Sequence, residues 1–301
     1  MSRRLAGFLV LIALLGGGGW WWYRGRPLGL AAQIKRLPVS GSVVVYVDFD
    51  QLRRGKILDL LNAGKAVEDD EYRKFAESIH LDWRKDLDSA MVAFAPSGKY
   101  MLVKGKFDWT RLQSYAKQSG GDCEGDVCRM VGSVPDRRIS FFPMQPSLMA
   151  LAVSTDDLAA KRMIGETPGP APEVPNGPIW VRIPGSVLKY GESLPSGTRM
   201  FARTVGDAEF VTVTFVPEGE RLAAKLDVLC RDEKDAAAMA AELTRVTGLL
   251  REYIEREKQK PNPADFSGVL TSGTFTNQGR RVAGHWPIER SFVENLLGGG
   301  V

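Results

Sequence analysis

Histidine and cysteine are scarce in this chain: 301 residues contain two histidines and three cysteines. That leaves little material for a histidine-based triad or a multi-ligand zinc site. There is no G-x-S-x-G elbow, no phosphate loop ending in Gly-Lys-Ser/Thr, no H-E-x-x-H and no dinucleotide fingerprint. Acidic side chains are missing altogether from residues 1 to 36, which hold six of the 40 Lys and Arg and none of the 36 Asp and Glu. The rest of the chain therefore carries 34 basic against 36 acidic side chains, a net charge of about −2. The basic pI of 8.9 belongs to one end, and no cationic field extends over the body to collect phosphates. Nucleic acid is not an expected partner, and neither a cofactor nor a metal is called for.

What is present at that end is an apolar run. Arg3 and Arg4 precede nineteen uncharged residues, Leu5 to Tyr23, which close with Trp20, Trp21, Trp22 and Tyr23 and are followed by Arg24 and Arg26. A helix of that length reaches roughly 28 Å, close to the hydrocarbon thickness of a bilayer. Indole and phenol rings favour the headgroup boundary, so these four aromatics are the expected membrane-interface residues. The segment reads as an uncleaved signal anchor, a single-pass helix in the inner membrane with the large C-terminal region outside the cytoplasm. The alternative is a secretory signal, with small-residue cut sites at Gly16-x-Gly18 or Gly29-x-Ala31 releasing the body. Basic residues flank the run on both sides, so the orientation rests on the very short N-terminal tail.

About 265 residues follow, enough for one large domain or two ordinary ones. The β-branched run Val43 to Val47 predicts a buried strand, and helices are expected over Gln51–Leu61 and Asp69–Ile79. Strands over Asp88–Phe94 and Tyr100–Lys104 are joined by a hairpin, and Asp108 caps a helix over Trp109–Gln118 that stops at Gly120. Short strands follow at Val127–Val131, Arg138–Phe142 and Leu148–Val153, then a helix over Asp156–Ile164 headed by Ser154. Residues 165–178 hold five prolines and three glycines and read as a linker.

The order then restarts, with a strand at Ile179–Ile183 and a hairpin over Phe210–Val216 and Leu222–Cys230. A long amphipathic helix follows over Asp232–Lys258, then strands at Val269–Thr276 and Arg281–Trp286, then a closing helix over Glu289–Leu297. Both halves match a split βαβ order. The expected architecture is α+β: two tandem ferredoxin-like repeats, each an antiparallel sheet with helices, after one transmembrane helix. Domain limits are expected at 1–36, 37–164 and 179–301, with the linker between.

The stretch Tyr100-Met-Leu-Val-Lys-Gly105-Lys-Phe107-Asp108, followed by a helix and Gly120-Gly121, resembles a pattern in uncharacterised bacterial envelope proteins. In that family a strand delivers G-x-F-D to a helix ending in glycine. Phe275-Thr-Asn-Gln-Gly279-Arg-Arg-Val282 before a short terminal helix is similar to the end of the same proteins. The family's Tyr-x-Gly before the fourth strand is replaced here by Cys123-Glu-Gly-Asp-Val-Cys128. The resemblance implies a secreted or anchored duplicated α/β domain and supplies no catalytic residues.

Cys123 and Cys128 flank a Gly-Asp turn and are disulfide candidates in an oxidising compartment, the alternative being two unpaired thiols in a loop. Cys230 ends an apolar strand and reads as a core residue. Asp48 and Asp50 form a D-x-D at a strand end, where Asp50 is expected to cap the next helix and Asp48 to be solvated. His80 and His285 read as solvated or packed imidazoles. The function expected is therefore a membrane-anchored, extracytoplasmic, non-enzymatic binding or scaffolding protein, with an envelope protein as a possible partner. One alternative is an anchored hydrolase whose carboxylates, such as Asp48, Asp50 and Asp82, converge in a cleft. The other is a ligand sensor with an apolar pocket near the linker.

Overall fold

The computed structural model describes residues 27–58, 70–132, 136–170, 172–189, 196–219 and 221–297. Its centre is β1 (Val43–Asp48), a β-branched strand with apolar side chains on both faces, as a strand buried on both sides requires. On one side β1 pairs with β2 (Leu87–Ala95). The sheet then continues through β3 (Gly98–Gly105), β7 (Leu148–Ser154), β6 (Arg138–Gln145), β5 (Val127–Val131) and β4 (Asp122–Glu124). On its other side β1 pairs with β8 (Ile179–Pro184), which leads to β9 (Phe210–Glu218), β10 (Arg221–Leu229), β12 (Arg281–Ile288) and β11 (Thr274–Gln278). Among the described residues all twelve strands form one sheet, and every neighbouring pair is antiparallel.

This overturns two tandem ferredoxin-like repeats. The α+β class stands, and each half does run strand, helix, hairpin, helix, with β1-β2-β3-β7-β6 mirrored by β8-β9-β10-β12-β11. A split βαβ unit runs its first two strands parallel with another strand between them, whereas here β1 pairs directly and antiparallel with β2, β8 does the same with β9, and β1 and β8 join the halves. Among the described residues no helix is long and apolar enough to cross a membrane. The segment Leu5 to Tyr23, with Trp20, Trp21, Trp22 and Tyr23, lies outside the described residues.

Helices cover the first face along the whole sheet. In the first half these are α2 (Phe49–Arg54), α3 (Asp70–Ile79), α4 (Trp83–Asp86) and α5 (Trp109–Gln118), whose Leu52, Ile79, Leu112 and Ala116 are buried. In the second half a short α7 (Gly185–Leu188) precedes α8 (Ser196–Val205), α9 (Glu233–Arg256), α10 (Phe266–Thr271) and α11 (Arg290–Leu297). The twenty-four residues of α9 start at Asp232, whose carboxylate accepts from the Asp235 amide at 2.8 Å. Its Ala236, Met239, Ala240, Leu243 and Val246 stripe packs on Val211, Leu226, Val228 and Val282. That amphipathic face buries α9 against the sheet.

The second face differs between the halves, and cross-strand register makes the difference visible. One row runs Ala152, Tyr100, Ala93, Val44 and then Arg182, Thr212, Asp227, Ala283. The next runs Ala150, Leu102, Met91, Tyr46, Trp180 and then Thr214, Lys225, His285. In the first half these apolar rows lie under Ile34 of α1 (Leu30–Ile34), Ala159 and Ala160 of α6 (Ala159–Arg162), and Met163. In the second half the rows turn polar, and Lys225 and Ala283 are exposed.

Candidate functional site

Residues 173–176 of the Pro/Gly segment lie over this polar half-face and line a cavity of about 290 Å³. The segment is held at both ends: the Thr167 amide donates to the Lys35 carbonyl at 2.6 Å, and the Asp48 amide donates to the Pro178 carbonyl at 2.7 Å. Between these points Val174 packs on the first-half core, and Glu173 is exposed. Strands β8, β9, β10 and β12 supply the floor, including Arg182, Thr212, Thr214, Asp227 and Arg281.

Four charges sit here. Arg281 Nη1 donates to Asp227 Oδ2 at 2.8 Å, and both its terminal nitrogens donate to the Glu173 carboxylate. Burial pushes the half-buried Asp227 carboxyl above the ordinary carboxylate range, with Glu173 adding to the effect while Arg281 and Arg182 oppose it. The Glu173 carboxylate raises Arg281, against its partial burial.

Arg182 is the exception in this cluster. Its guanidinium carbon lies over the Phe210 ring, 4.1 Å from the centroid, a cation–π contact that uses none of its N–H donors. It is half-buried, and among the described residues it has neither an ion pair nor a hydrogen bond. Burial lowers its pKa, with Glu173 the chief opposing charge. An arginine starts so far above neutrality that it stays charged, so the group can bind an acceptor but does not exchange protons near neutral pH.

The carboxylates proposed to converge in a hydrolytic cleft are each engaged locally. Asp48, not Asp50, caps α2, accepting from the Gln51 amide at 2.7 Å and from the Tyr46 hydroxyl at 3.3 Å. Asp50 pairs with Arg53 at 3.2 Å and Arg54 at 3.0 Å. Asp82 caps α4 through the Arg84 amide, and its bond to Lys85 holds its pKa below the usual range. His80 is exposed beside an open hollow of about 730 Å³ that also includes Asp108, the cap of α5. His285 shares Glu218 with Lys225, at 3.0 and 2.8 Å. Among the described residues no group of three or more His, Cys, Asp or Glu is placed to hold a metal ion.

Cys123 and Cys128 face each other in register across β4 and β5, with their sulfurs joined at 2.04 Å. Cys230 is buried, and its thiol donates to Met239 Sδ at 3.8 Å.

Sequence reading missed the Arg182 cluster. The signal available was the period-two alternation in Phe210-Val-Thr-Val-Thr-Phe and Lys225-Leu-Asp-Val, which puts polar residues on every second position of otherwise apolar strands.

No family model matches this chain, and no curated protein does. Two solved structures of TP0453 share its fold. Crystal form I aligns over 90% of this chain and 99% of that one with a TM-score of 0.51 and 10% identity. Crystal form III aligns over 91% and 99% with a TM-score of 0.51 and 8% identity. At such identities the likeness concerns the fold alone.

Proposed function

We propose that this chain is a non-enzymatic binding protein, held at a membrane by its N-terminal apolar segment. Its sheet lies outside the cytoplasm, and its ligand site is the cavity beneath residues 173–176. The observation that carries the reading is Arg182, a half-buried guanidinium without a hydrogen-bonding partner among the described residues, at a cavity floored by threonines. A half-buried guanidinium gives up part of its hydration, and an anion in the cavity would supply acceptors in its place. The location is supported by the length and aromatic edge of Leu5 to Tyr23 and by the near-neutral body. A Cys123–Cys128 bridge also fits an oxidising compartment.

The test of binding is the thermal midpoint of the full-length protein in detergent, with millimolar phosphate, sulfate or N-acetylglycine, compared with Arg182→Met. At least one anion should raise the midpoint of the wild type and leave the variant unmoved, since a ligand stabilises only the state that binds it. If none does so, the binding reading falls. Location is tested by a reporter fused after Val301 that is active only outside the cytoplasm. Activity in the membrane fraction is expected, and activity only from a cytoplasmic reporter would overturn the placement.

A further inference from the structure

We infer that the cavity recognises a small monocarboxylate through Arg182 and Arg281, and that Glu173 is a tethered competitor that occupies Arg281 until such a ligand arrives. This rests on the binding reading above and names its ligand class.

The charge balance is the first argument. With Glu173 in place, Arg182 and Arg281 are matched by Asp227 and Glu173. When the Glu173 side chain turns out to solvent, one positive charge is left over, which suits a single negative charge. A dianion such as phosphate would place excess negative charge against Asp227.

The second argument is the present occupant. Glu173 itself engages Arg281 through two nitrogens, the planar fork-to-carboxylate match that guanidinium groups favour. Arg182, stacked on Phe210, offers a second fork from the floor of the same cavity.

The third argument is that release is easy. Glu173 is exposed, so water competes for its carboxylate although the pairing with Arg281 is two-pronged. Val174 stays packed on the first-half core, so a rotation of the Glu173 side chain suffices and the strap need not open. At about 290 Å³ the cavity lies at the lower end of ligand sites, which commonly span ~300–1,000 Å³. That suits a molecule of a few heavy atoms, with Thr212 and Thr214 beside it.

The probes are N-acetylglycine and its neutral isostere N-acetylglycinamide, titrated calorimetrically into full-length protein in detergent. The acid should bind and the amide should not. Glu173→Gln, which removes the competitor at an exposed position, should tighten acid binding by about two- to fivefold. Arg182→Met should weaken it by about tenfold or more. If Glu173→Gln leaves affinity unchanged or lowers it, the tethered-competitor role is wrong. Equal binding of acid and amide, or acid binding that survives in Arg182→Met, overturns carboxylate recognition. Arg182-dependent binding of phosphate or sulfate without binding of N-acetylglycine would sink this inference while leaving the binding reading intact.

Discussion

Replacing Trp180 tests whether the two halves of the sheet are one structure. Trp180 is 1% exposed and stacks on Tyr46, its register partner across the β1–β8 junction, with centroids 5.4 Å apart and planes at 25°. Truncation to alanine removes a fully buried ring, at a cost of about 3–5 kcal/mol. That is a large part of a typical folding stability of ~5–15 kcal/mol. Phenylalanine should behave differently. The indole Nε1 is buried without a hydrogen-bond partner among the described residues, so its removal relieves a desolvation cost of about 1–3 kcal/mol and offsets the lost volume. Trp180→Phe should therefore cost less than about 1.5 kcal/mol. The assay is urea unfolding of the full-length protein, with hydrogen exchange read on β3 and β10. Because the ring joins the halves, Trp180→Ala should lower protection in both strands together. A loss below about 1 kcal/mol, or β10 weakening while β3 keeps its wild-type protection, would refute a cooperative twelve-stranded unit.

Tyr46 gives a pH signature. Burial, helped by Asp48, pushes its phenol up to about 12. Above about pH 10 the unfolded chain ionises while the native phenol does not, so stability falls by about 1.4 kcal/mol per unit until roughly pH 12. Tyr46→Phe should remove that component of the slope of urea midpoint against pH, and parallel wild-type and variant curves would disprove the burial effect. Two glycines should respond in opposite directions. A Cβ on Gly185 would lie 2.1 Å from the Ala208 carbonyl oxygen, so Gly185→Ala should lose about 2–3 kcal/mol or more. Gly248 lies inside α9, and nothing stands within 4 Å of the place an alanine methyl would take, so Gly248→Ala should gain up to about 1 kcal/mol. Thermal melts of the two variants read both signs.

Local signals in the sequence located most elements. Asp108 and Gly120 bracket α5, whose observed span, Trp109–Gln118, is the one expected from the cap and the glycine. Gly219 and Gly279, both at positive φ, turn the hairpins expected there. The errors are equally physical. The stretch from Val269 reads as a strand by its apolar content, but Asp265 accepts from the Ser267 amide at 2.7 Å and starts a helix over Phe266–Thr271. Ser196–Val205 is helical although Ser, Gly and Thr begin it, and its Phe201 and Val205 packing supplies what propensity does not. Strand order was not legible, because hydrophobic period fixes which face is buried and leaves open which strand lies alongside.

The polar half-face was legible in part, since Thr212, Thr214, Lys225 and Asp227 alternate with apolar residues along their strands. The convergence of Glu173, Arg182, Asp227 and Arg281 was not. It requires β8, β10 and β12 to lie in one sheet and the Pro/Gly segment to cross them.

The most direct measurement of the site is the Nε–H resonance of Arg182 in full-length protein with labelled arginine, followed as N-acetylglycine is added. Arg53, whose Nε–H donates to the Arg84 carbonyl at 2.9 Å, and Arg251, which donates to the Thr271 carbonyl at 2.7 Å, are internal controls. The account predicts that Arg182 shifts saturably while Arg53 and Arg251 stay in place. An Arg182 signal that does not move, or that moves no more than the two controls, would contradict it.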